Sequence, residues 1–157
     1  MSMLRLTIGV LTVFGILIGS QVSGVLAGGD KDEYTVVTKK VEVKKTQKNG
    51  ESWDVNDGAP DLRVFARNTT NKDEKAFETK EKKDTFVAEF NEAANIKAKK
   101  GQSIELEVVD ADVAVNDQVG KTIVELTDEN IQKGLDKGLR IESFGQVVYL
   151  DIQLKKL

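Results

Sequence analysis

The sequence predicts an all-β protein, a single antiparallel β-sandwich of about eight strands after an N-terminal apolar segment. Three observations carry that expectation. Short runs of alternating apolar and polar residues recur at regular spacing, turn residues separate them, and almost no stretch repeats its apolar residues with a helical period. The clearest run is 104–108, where Ile104, Leu106 and Val108 alternate with Glu105 and Glu107.

The chain has 157 residues, enough for one ordinary domain. It contains no Cys, which excludes a disulfide framework, a thiolate nucleophile, a zinc–thiolate site and a lipoprotein anchor. It contains no His, the commonest general base and transition-metal ligand. Oxygen donors remain, and oxygen favours calcium or magnesium. A net charge of −3 does not suggest nucleic-acid binding. A monomer is expected.

Residues 1–27 differ from the rest. Arg5 is their only charge, Leu6 to Ile18 is almost wholly apolar, and small and polar residues lead to Val25-Leu26-Ala27. This pattern describes a signal peptide. An uncleaved anchor is the alternative, since Leu6 to Leu26 just suffices to span a bilayer. Either reading sends the domain out of the cytoplasm: secreted or extracytoplasmic, periplasmic in a double-membrane bacterium, and membrane-anchored if the segment stays. Residues 28–33 read as a linker, and 34–157 as the sandwich.

A first strand is expected from Tyr34 to Lys45, with Lys39, Lys40, Lys44 and Lys45 facing solvent as edge lysines do. Lys48-Asn49-Gly50 is a turn. An acidic loop, Trp53 to Asp61, leads into the strand Leu62 to Arg67. Asn68-Thr69-Thr70 fits a glycosylation sequon. Shorter strands are expected at Ala76–Thr79, Thr85–Phe90 and Ile96–Ala98, and a further strand at Thr122–Leu126. Thr127 caps one helical turn that Gly134 ends. Asp136-Lys137-Gly138 is a turn, and Val147 to Leu154 closes the chain as a strand.

The candidate site is acidic. After the run at 104–108 come Asp110 and Asp112, two apart and so on one side of an extended backbone. Asp117 can fold back toward them, helped by the Asn116-Asp117 turn and Gly120. Asp54 and Asp61 lie in the first acidic loop. Loops at one end of a sandwich cluster, so Asp54, Asp61, Asp110, Asp112 and Asp117 are candidate ligands of a hard cation. Two carboxylates roughly 5 Å apart repel by about 3 kcal/mol at an effective dielectric near 20, so a cation would relieve strain. Calcium, with its six to eight oxygen ligands and tolerance of irregular geometry, suits such loops. The plain alternative is that these acids are solvated turn residues. An EF-hand does not fit, because neither Asp54 nor Asp110 is followed by the Glu its twelfth position needs.

These residues resemble the C2 domain family, calcium-dependent β-sandwiches of which many dock on phospholipid membranes. The resemblance runs from about Val41 to Leu154. Asp54, Gly58, Asp61 and Val64 match the family's first loop, with either Asp54 or Asp57 as its first ligand. Phe77-Glu78-Thr79 is similar to its Phe-x-Thr, and Phe90-Asn91-Glu92 to its aromatic-Asn-Glu. Ile104 to Asp112, then Asn116-Asp117-Gln118-Val119-Gly120, is similar to its strand ending Asp-x-Asp followed by Asn-Asp-x-apolar-Gly. Pro60 stands before Asp61, where the family usually has Pro after it.

The resemblance implies calcium at the acids and, at the loop tip, entry of Val113 and Val115 into a membrane. A small plug folded inward is the other reading of that tip. The expected function is an exported noncatalytic calcium-binding module that attaches to a membrane or acidic surface. Its partner would be an anionic phospholipid or an extracytoplasmic protein. The alternative is a structural or protein-interaction domain in which calcium only rigidifies the loops. No nucleophile–base pair or pocket signature supports an enzyme. Lysines 80, 82, 83, 97, 99 and 100 either attract an anionic surface or simply solvate a sheet face.

Overall fold

A computed structural model of the chain describes residues 32–53, 58–71, 75–112 and 116–157. The apolar segment 1–27, Asp54, Asp57, Val113 and Val115 therefore lie outside the described residues. The elements are β1 (Glu33–Val43), β2 (Leu62–Asn68), β3 (Phe77–Glu78), β4 (Val87–Ala93), β5 (Ala98–Lys99), β6 (Ser103–Asp110), β7 (Asp117–Glu125), α1 (Asp128–Asp136), β8 (Leu139–Phe144) and β9 (Val147–Lys156). One sheet has the order β4-β1-β9-β8 with β5 beside β1; the other has the order β3-β2-β6-β7. All pairings are antiparallel, and the sandwich read from the sequence is the fold observed.

Alternation explains why these residues pair as two layers. In β2, Leu62, Val64 and Ala66 are buried while Arg63 and Arg67 face outward; in β6, Ile104, Leu106 and Val108 are buried. Val36 and Val41 of β1 and Leu150 and Ile152 of β9 supply the facing layer of one core. Each such side chain contributes about 1.5–3 kcal/mol through burial.

Three expectations are corrected. The first strand is internal rather than an edge, because β4 and β9 flank β1 on either side. Its lysines include a bulged Lys39, which both neighbours skip as the register passes from Thr38 to Lys40. The helix does not end at Gly134 but continues to Asp136. That glycine answers to packing: a Cβ there would stand 2.7 Å from Leu154 Cγ. The helix ends instead at Lys137 and Gly138, whose φ of 83° suits glycine. Finally, Asn68 is buried and its Nδ2 donates to Lys97 O at 2.8 Å and Gln102 Oε1 at 3.0 Å. The amide that glycosylation needs is thus consumed by the fold.

Thr127 caps α1 as expected, its Oγ1 accepting from Asn130 N at 3.2 Å, and Asp128 and Glu129 face the helix dipole in the first turn. Thr127→Ala is expected to lower stability by about 1 kcal/mol in urea unfolding.

Candidate metal centre

Strand register brings the acids to one end of the sandwich. Leu62, which opens β2, pairs with Asp110, the last residue of β6; Asp110 in turn pairs with Asp117, the first residue of β7. Asp61 precedes Leu62 and lies beside Asp110: its backbone N–H donates to Asp110 Oδ1 at 2.7 Å. The backbone N–H of Ala111 donates back to Asp61 O at 2.8 Å. Asp110 is only 2% exposed, unlike Asp112 and Asp117, which face solvent. The alternation that buries Ile104, Leu106 and Val108 carries Asp110 to the same inner face. A bulge in β7, which passes from Gly120 to Gln118 opposite Val108 and Val109, sets Asp117 opposite it.

Asp61 is half-buried and its Oδ1 accepts the backbone N–H of Asp84 at 2.8 Å. Asp84 adopts φ 53°, a conformation that Asp tolerates better than most residues. Asp84 is exposed and is not among the candidate ligands read from the sequence. The structure adds it to the acidic end, and the one available signal is an Asp in a tight connection before the run that becomes β4. No lysine or arginine among the described residues pairs with Asp61, Asp84, Asp112 or Asp117. Arg63, two residues beyond Asp61, is occupied by Glu78 at 2.6 Å and by Glu81. The Arg63 guanidinium, and then Lys83, hold the Glu81 carboxyl below the usual carboxylate range.

The start of the first loop is braced separately. Trp53 is buried and its indole N–H donates to Lys44 O at 2.8 Å. The β8–β9 turn wedges between this loop and β7: Gln146 N donates to Val119 O at 2.8 Å, and Gln146 O accepts from Lys44 N at 2.9 Å. Gly145 and Gly120 allow the approach, since a Cβ on Gly145 would stand 2.5 Å from Val119 O, and one on Gly120 2.5 Å from Phe144 O.

Asp61, Asp110 and Asp117 are thus gathered at one end, with Asp112 following two residues after Asp110. Among the described residues no three acidic side chains lie close enough to hold a metal ion by themselves. The donor chemistry fits a hard cation, because every candidate side-chain ligand is a carboxylate and the chain has neither His nor Cys.

The C2 domain family model matches residues 38–141, more than half of the chain, and the chain belongs to that family. The family is one of calcium- and lipid-binding modules. Solved structures agree on the fold. A single C2 domain of a plant extended synaptotagmin 1 is 17% identical with a TM-score of 0.59, over 82% of this chain and 97% of that one. The calcium-bound tandem C2 domains of extended synaptotagmin 2 are 20% identical with a TM-score of 0.57, over 82% of this chain and 46% of that one. Human GIVD cytosolic phospholipase A2 is 20% identical with a TM-score of 0.59, over 80% of this chain. The chain spans only 17% of that phospholipase in its inhibitor and terbium complex. Comparison with curated protein sequences returns no match.

Proposed function

We propose that this C2 domain is an exported, noncatalytic module that binds calcium through Asp54, Asp61, Asp110, Asp112 and Asp117 and thereby attaches to an anionic membrane. The observation that carries this reading is the register of Leu62, Asp110 and Asp117, which gathers carboxylates from separate loops at one end. A calcium ion there would supply positive charge facing lipid phosphates; the chain's own residues hold and orient the carboxylates. As an extracellular module it is expected to bind calcium at roughly 0.1–1 mM. Export rests on the apolar segment at residues 6–18 and the small residues after it.

Co-sedimentation with phosphatidylserine vesicles in millimolar calcium, and release by EGTA, is the expected result. Sedimentation indifferent to calcium contradicts attachment through the calcium site, and none at all contradicts membrane attachment. A second reading is favoured by the hydrogen bonds that Asp61 and Asp110 already accept from the backbone. There calcium only stiffens loops that face a protein partner. Calcium-dependent stabilisation without vesicle binding would select it.

A further inference from the structure

A second concave surface lies on the outer flank of the other sheet, away from the acids. It is a groove of about 470 Å³ between the end of α1 and strands β1, β8 and β9. Four cations line it, Lys39, Lys133, Lys137 and Arg140, against two carboxylates, Asp136 and Asp151. Both carboxylates are engaged. Asp151 receives Arg140 through both oxygens, at 2.8 and 2.7 Å, and Asp136 accepts from Gln132 Nε2 at 2.7 Å. Arg140 is also stacked on the Tyr149 ring at 4.0 Å, which fixes its plane. Lys39, Lys133 and Lys137 have no ion-pair partner among the described residues.

Helix electrostatics accounts for Lys133 and Lys137, since cations favour a helix C-terminus. It does not account for Lys39, which comes from a different element and reaches the groove through a bulge in an internal strand. Bulges re-aim side chains. This one sits beside a cost: the Thr38 hydroxyl is fully buried without a hydrogen-bond partner among the described residues. Gly138 completes the shape, because only a residue without Cβ lets the helix end approach Ile152 O, which a Cβ would meet at 2.8 Å.

Several lysines elsewhere on the surface are ion-paired. Lys97 and Lys99 reach Glu33, Lys83 reaches Glu81, Lys100 reaches Asp128, and Lys121 reaches Glu105 and Glu107. Lys45, Lys48, Lys80 and Lys155 also have no ion-pair partner among the described residues. The groove differs in bringing unpaired lysines from two elements to one concavity. We infer that the groove between α1 and β1–β9–β8 is a calcium-independent site for a phosphate-bearing anion, held by Lys39, Lys133 and Lys137 with Arg140 as a fixed wall. Compact ammonium groups suit phosphate oxygens as point charges.

The test is titration of the protein with inorganic pyrophosphate in EGTA, and in parallel with phosphatidylcholine vesicles containing phosphatidic acid. EGTA separates this site from the acidic end, so failure of the calcium reading leaves the result interpretable. Binding that weakens with salt is expected. Lys133→Ala/Lys137→Ala is expected to weaken it by about tenfold or more, the loss of at least one charge-assisted hydrogen bond. Lys80→Ala/Lys83→Ala, which removes the same charge elsewhere, should leave pyrophosphate binding unchanged. All four positions are exposed, so folding is not at stake. Vesicle binding without pyrophosphate binding would assign the site to a lipid headgroup, and the reverse to a soluble phosphate. No binding of either probe, or equal weakening by both double variants, overturns the inference.

Discussion

Asp110→Ala is expected to lower stability by about 2–3 kcal/mol in EGTA, whereas Asp110→Asn should leave it nearly unchanged or raise it. The difference follows from what the carboxylate does. Asp110 is buried and its Oδ1 accepts the backbone N–H of Asp61 at 2.7 Å. Alanine leaves that N–H without its acceptor, and an orphaned buried donor costs about 1–3 kcal/mol. Asparagine keeps a carbonyl oxygen in place while removing a charge from an acidic end. Both variants should lose most of the response to calcium, because neither carries the anionic ligand. Urea unfolding with and without calcium separates the two roles. Equal EGTA stabilities for wild type and the alanine variant would show that the Asp61–Asp110 contact does not hold the loop.

Gly145→Ala should be at least as damaging, by about 3 kcal/mol, and should loosen the same end of the molecule. Two costs combine there. The residue has φ 59°, where a Cβ is strained, and that Cβ would also stand 2.5 Å from Val119 O and 2.8 Å from Gly120 Cα. Both obstacles are backbone and cannot swing aside. Relief requires the β8–β9 turn to withdraw, which breaks the bonds joining Gln146 to Val119 and Lys44. Urea unfolding is again the readout, with amide exchange at Val119 and Gln146 as a local probe. A variant within about 1 kcal/mol of wild type would mean that the turn has room to shift.

Much of the fold is legible in the sequence because one face of most strands is dry. The alternation of Leu62, Val64 and Ala66, and of Ile104, Leu106 and Val108, marks β2 and β6 directly. β8 is not legible in this way: Leu139 is its only buried residue, so its pattern barely differs from a loop's. The helix end is misread from sequence because Gly134 looks like a terminator, while its actual constraint is Leu154, far along the chain in β9. The burial of Asp110 continues the alternation of 104–108, whereas the bulge in β7 that sets Asp117 opposite it leaves no mark in the spacing of 104–112. Asp84 joins the acidic end only through a backbone N–H. The bulge at Lys39 leaves a trace in hindsight, since Val36 and Thr38 share a face with Val41 rather than residue 40.

Thermal unfolding of the protein in EGTA and across a calcium titration tests the central claim most directly, comparing wild type with Asp110→Asn/Asp112→Asn. A ligand that binds only the native state stabilises it by about 2.7 kcal/mol at a hundred times its Kd. The predicted result is a melting temperature that rises with calcium in wild type and does not move in the variant. A wild type indifferent to millimolar calcium, with the variant equally stable, would contradict the claim and make these acids solvated turn residues.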